Sequence, residues 1–143
     1  MSRVRLEVPA SFPFSTEMTV RVTDVNYGGH LGNDAVLGLV HEARIRFLSS
    51  LGFSEKNAGG PGVIMTEAVV IYRAEAFLGD RLLIGVGVGE IRSHGCDFLY
   101  RLTNASTNAE VARVRTGMAF YDYGVRRIVP TPGAFRNALG QSL

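Results

Sequence analysis

The chain has 143 residues, 46% hydrophobic and 20% charged, with a net charge of +2. A domain of that length buries about two-thirds of its unfolded surface and needs no disulfide or metal staple, and no apolar run approaches the roughly 18 to 20 residues that span a bilayer. Fourteen of the 15 basic residues are arginine, but they are scattered; Arg113, Arg115, Arg126 and Arg127 come nearest to a cluster, which argues against a nucleic-acid-binding stripe.

Residues 1–9 alternate charged and apolar side chains and lack the apolar centre of a signal peptide, so a cytoplasmic location is expected. Residues 16–22 alternate, with Met18, Val20 and Val22 on one face, and predict a strand. A glycine-rich turn follows, Tyr27-Gly28-Gly29-His30-Leu31-Gly32, and then Asn33 and Asp34, residue types that cap helices. A helix is predicted over 35–51. Val36, Val40, Ala43 and Phe47 form its apolar stripe, widened by Leu37, Leu48 and Leu51, and Gly52 stops it.

Residues 54–62 hold Asn57, Gly59, Gly60, Pro61 and Gly62, which break regular structure. Strands are predicted at 63–75, 81–91, 97–104 and 110–123. The short connections 76–80, 93–95 and 105–108 make them antiparallel neighbours. From Pro130 a tail carries a short helix, 133–139. Gly85, Gly87 and Gly89 remove side chains from one face of a strand, which predicts close packing by something bulky, a helix above all.

The whole chain, 1–143, therefore reads as a single α+β domain in which one long helix covers one face of a five-stranded, mainly antiparallel sheet. The other face and the sheet edges would be closed by self-association, as a homodimer or homotetramer.

Cys96 is the only cysteine, so it makes neither an internal disulfide nor a cysteine-rich zinc site. His94 would share its face on an extended segment, but no third orienting group is visible, and a half-buried structural thiol is the expectation. The richest chemistry lies in Asp24, Asn26, Tyr27, Gly28, Gly29, His30, Asn33 and Asp34, followed by His41, Glu42, Ala43 and Arg44. Backbone amides at a glycine turn and a helix start can hold a developing oxyanion. A carboxylate or imidazole beside them can activate water.

This block resembles the signature of the hotdog-fold acyl-CoA thioesterases of the 4-hydroxybenzoyl-CoA thioesterase type. Asp24, Asn26, Gly29, His30, Asn33, Glu42, Ala43 and Arg44 carry the match. Ile71-Tyr72 and Gly79-Asp80 sit where similar proteins have a Tyr and a Gly-Asp. The resemblance implies a hotdog fold, hydrolysis of an acyl-CoA without metal or cofactor, and a site built between two subunits. Many members of the family place an aspartate where this chain has Asn26, and asparagine cannot accept a proton at neutral pH.

Glu42, on the helix, then becomes the implied base or nucleophile. The amides around Gly29 and His30 would bind the oxyanion, Asn26 and His30 would orient substrate or water, and Tyr27, Gly28, Asn33 and Asp34 would line the substrate. Surface arginines would hold the CoA phosphates. Against this, Arg46 is placed to form an ordinary surface pair with Glu42. Asp34 fits a helix-start residue, Asp24 a brace for the turn, and His41 a surface or interface position. Asn26 also fits a different class, a non-catalytic acyl-CoA-binding or regulatory domain. A hydratase fits less well, since no His/Asp or His/Glu arrangement is evident.

Overall fold

A computed structural model describes residues 3–140. Six strands and two helices run in the order β1 Phe14–Thr19, α1 Ala35–Ser50, β2 Gly62–Tyr72, β3 Arg81–Arg92, β4 Gly95–Asn104, β5 Glu110–Asp122, β6 Arg127–Ile128 and α2 Gly133–Ala138. The sheet order is β1-β3-β4-β5-β2, every neighbouring pair is antiparallel, and β6 extends the sheet briefly beside β5. The expected α+β hotdog architecture is present, with β6 added to the five strands read from the sequence.

The core forms where α1 lies on one face of the sheet. Leu82, Ile84 and Val86 of β3 and Phe98, Tyr100 and Leu102 of β4 alternate inward and are fully buried, as strand periodicity requires. They join Val36, Leu39, Val40, Ala43, Phe47 and Leu48 of α1 in one cluster. The Phe47 ring meets Phe98 edge-on at 6.0 Å and Phe14 at 5.6 Å, tying helix, central strand and edge strand together. Helix α1 ends as expected. Gly52 is left-handed at φ +82, its amide bonds to Ser49 O, and the Phe53 amide reaches back to Leu48 O at 2.8 Å.

Three expectations are corrected. Strand β1 starts and ends earlier than 16–22, and Val22 is exposed rather than inward. Asp24 accepts the Arg21 amide at 2.9 Å and the Arg21 guanidinium at 3.1 Å, which folds Val22–Asp24 into a 3-10 turn. The start of α1 is not capped by Asn33 or Asp34. Asp34 has helical backbone angles, and its carboxylate lies back over Gly32, where a Cβ would meet Oδ1 at 2.7 Å.

The glycines of β3 do not face a helix. A Cβ at Gly85 would lie 2.5 Å from the Phe12 ring, one at Gly87 would meet Pro13, and one at Gly89 would meet Leu99. An N-terminal strap therefore crosses the sheet's outer face. Arg101 donates to Pro9 O at 3.0 Å and Arg113 to Leu6 O at 3.1 Å, and the Arg101 guanidinium sits 5.8 Å over the Phe12 ring.

Candidate active site at the start of helix α1

Between β1 and α1 the chain folds back on itself through Asn26. The Asn26 side-chain oxygen accepts the amides of Gly28 at 3.0 Å and His30 at 3.3 Å, and its backbone oxygen accepts the Gly29 amide at 2.9 Å. The Asn26 amide donates to His30 O, and Val25 bridges Leu31. Gly29, at φ +82, supplies the left-handed residue the reversal needs. The closed turn docks on the segment after β2, where Leu31 donates to Ala76 O at 2.7 Å and His30 bridges Phe77. The Gly29 and His30 amides, around which an oxyanion was expected to bind, donate to Asn26 inside this turn.

A cavity of about 340 Å³ opens beside the turn. Leu31, Val36, Ala76 and Val111 supply apolar wall, while Asn26, His30, Asn33, Arg73 and Glu75 supply polar edge. Tyr72 also lines it and donates its hydroxyl to Asn33 O at 2.9 Å, fixing the entry to α1. No side chain caps the first turn of that helix, which leaves its first amides without a side-chain acceptor. Asp24 braces the turn from below: its backbone oxygen accepts the Gly32 amide. Burial would push its carboxyl up, but the hydrogen bonds from Arg21 hold it below the usual value of 3.8.

His30 presents two different edges. Its Nδ1 is sealed from solvent and lies 3.3 Å from Glu75 Oε2, without a hydrogen bond of good geometry. Its Cδ2–Nε2 edge lies along Gly28, where a Cβ would sit 3.3 Å from Cδ2 and 4.0 Å from Nε2. The ring also packs on Phe77 at 5.0 Å. A His/Glu pair is what the sequence did not reveal.

A profile of the thioesterase-like superfamily matches residues 20–139. The chain belongs to that superfamily. Its activity class is thioester hydrolysis, and a purely non-catalytic role is not favoured. Among solved structures, the thioesterase-like chain is similar to a 1,4-dihydroxy-2-naphthoyl-CoA thioesterase from Synechocystis. Identity is 25% and the TM-score 0.80, over 89% of this chain and 95% of that one. A gentisyl-coenzyme A thioesterase shares the fold at 17% identity and TM-score 0.77, over 88% of this chain and 99% of the other. A hypothetical protein from Staphylococcus aureus in complex with CoA does so at 17% identity and TM-score 0.80, over 94% and 86%. No curated protein sequence matches significantly.

The remaining candidate residues of the thioesterase-like chain fall elsewhere. Glu42 does not line the cavity of Asn26 and His30. It opens into a separate depression with Arg21, Gly38 and Arg46, and its carboxylate takes the Arg46 guanidinium at 3.0 Å. Tyr27 projects fully into solvent and does not line the cavity of Asn26 and His30. His41 bonds Glu55 at 2.7 Å. Cys96 is buried in the core, its thiol pushed up to about 12 by burial, so it is no nucleophile.

Arg44, matched by the family signature, is buried and structural. Its Nε donates to Glu55 at 2.7 Å and its Nη1 to Tyr100 OH at 3.0 Å, and that hydroxyl pairs with Thr116 at 2.7 Å. Glu75 and Arg73 were missed by sequence reasoning. Both lie in the loop after β2, and their nearness to His30 depends on the bridge to Phe77, which no local spacing announces.

Among the described residues, no helix is long and apolar enough to cross a membrane, and no group of three or more His, Cys, Asp or Glu side chains is placed to hold a metal ion.

Proposed function

We propose that the protein hydrolyses an acyl-CoA thioester to a free acid and CoA in the cavity beside the Asn26 turn. The carrying observation is that cavity itself, half apolar and half polar, set against the uncapped start of α1 in a thioesterase-like chain. The acyl group would lie against Leu31, Val36 and Val111. The carbonyl would point toward the positive end of α1, which favours the charge that grows on its oxygen. His30 would take the proton of the attacking water, since Asn26 cannot. Asn26 holds His30 in place through the turn, and Gly28 leaves room beside the imidazole. Asn33 lines the polar side, and Asp34 has the weaker claim because it lies over Gly32. Arg73 at the rim suits a CoA phosphate.

We assign the second copy of the chain to the free edge of β2, where Met65, Thr66, Glu67 and Ala68 are exposed. In a dimer, or a tetramer built from two, Tyr27 would contact that copy. Glu42 could reach substrate only across such an interface, and there it would help place the substrate and leave the proton to His30. The expected location is the cytoplasm, where acyl-CoA is made and used. The expected partners are the substrate and further copies of this chain, with no nucleic acid, membrane or metal.

The test is release of free thiol from a panel of acyl-CoAs by wild type, His30→Ala and Glu42→Ala. Turnover should fall about 10²- to 10⁴-fold in His30→Ala and less than about tenfold in Glu42→Ala. The reverse ranking would return the base to Glu42. Binding without turnover on every acyl-CoA would leave an acyl-CoA-binding module instead.

A further inference from the structure

We propose that Glu75 is a positioning residue that fixes the tautomer and orientation of His30. The proposal rests on the assignment of the proton-accepting role to His30. A neutral imidazole carries one N–H and one lone pair, and the partner of one nitrogen decides which is which. Nδ1 of His30 is shut off from water, and the Glu75 carboxylate stands 3.3 Å away. A lone pair on Nδ1 would face the lone pairs of that carboxylate, and both would be repelled. A proton on Nδ1 would instead gain an acceptor, at the cost of a small swing of Glu75, whose side chain is about two-thirds exposed and free to move.

The proton therefore belongs on Nδ1, and the lone pair on Nε2. The Nε2 edge is the one that runs along Gly28, and His30 itself is part of the cavity wall. Phe77 packs against the ring and limits its rotation. Arg73 lines the same cavity, but it is paired with Glu110 at 3.5 Å and leaves Glu75 to the imidazole. Carboxylate, imidazole and water then stand in series, with the carboxylate acting through the imidazole.

The chemical step balances without a further reactant. Water gives its proton to Nε2 while its oxygen bonds to the thioester carbonyl carbon. When the tetrahedral adduct collapses the carbon–sulfur bond breaks, and the CoA sulfur leaves with the proton carried by Nε2. His30 returns to its starting tautomer, and Glu75 stays ionised throughout.

The test reads the tautomer directly. Long-range proton–nitrogen NMR of the imidazoles of the full chain is recorded at alkaline pH, with the His30 signals assigned by their loss in His30→Asn. Wild type should show His30 protonated at Nδ1. Glu75→Ala should move the major tautomer to Nε2–H. Glu75→Gln, whose side-chain oxygen still accepts a hydrogen bond, should restore much of the Nδ1–H form.

In thiol release, Glu75→Ala should lower kcat about 10- to 100-fold with KM changed less than about threefold, and Glu75→Gln should recover part of the loss. Wild-type His30 protonated at Nε2, or a tautomer unchanged by Glu75→Ala, overturns the proposal. Because the NMR reading needs no substrate, a protein inactive on every acyl-CoA would sink the functional assignment and still decide the role of Glu75.

Discussion

Two of the polar networks in this molecule, one under α1 and one at its start, stand in opposite states. Under α1, Arg44, Glu55, Tyr100 and Thr116 pass hydrogen bonds from group to group, and each buried polar end meets a partner between 2.7 and 3.0 Å. At the start of the same helix, His30 has a buried nitrogen that faces Glu75 without completing a bond. A filled network has no capacity left for a ligand and works as a fixed strut between helix, loop and sheet. The unfilled pair, at the wall of a cavity, still has hydrogen-bonding capacity to offer. The buried arginine of the family signature thus belongs to the scaffold, and the proposed chemistry falls to the pair whose hydrogen bonding is incomplete.

Substitutions can break or sharpen this contrast. Arg44→Ala leaves Glu55 with His41 alone and the Tyr100 hydroxyl with Thr116 alone, and the loss of two charge-assisted hydrogen bonds should cost about 3 kcal/mol of stability in denaturant unfolding. Loss of activity with unchanged stability would make Arg44 functional after all. Gly85→Ala forces a methyl into the Phe12 ring and should cost about 1–3 kcal/mol. His30→Ala should stay within about 0.5 kcal/mol of wild type although its turnover collapses, and a large loss of stability there would make the two networks alike.

Asp24 supplies a pH-dependent version of the test. Its folded carboxyl lies below its usual value of 3.8, so its contribution is present above that value and lost as pH falls through the lower folded one. The stability gap between wild type and Asp24→Asn should therefore be widest at neutral pH and close in acid. A gap independent of pH would remove the Arg21–Asp24 pairing from the account.

The sequence made the fold legible because its signals were local. The stripe Val36, Val40, Ala43 and Phe47 marked α1, the alternation Leu82, Ile84 and Val86 marked a half-covered strand, and Gly52 marked a helix end; each is set by neighbours a few residues away. The turn around Asn26 and His30 was legible for the same reason. Glu75 was not, because 45 residues separate it from His30 and only the folded sheet brings them together. The glycines of β3 were legible as a close approach, but not its source: Phe12 and Pro13 pack there through contacts that strand periodicity does not encode. Val22 misled because alternation ran on past the residue where Asp24 turns the chain.

The strap over the outer face has a bearing on the order of assembly. Its anchors join Arg113 to Leu6 across 107 positions and Arg101 to Pro9 across 92. Contacts so distant along the chain close large loops and reward folding only after β3, β4 and β5 are already paired. The strap would thus be among the last segments to find its seat, waiting for the glycine hollow of β3 to be built. In the finished protein it would be the first to open, and hydrogen exchange should find the amides of residues 6–8 and 10–12 the least protected of the main-chain groups that touch the sheet.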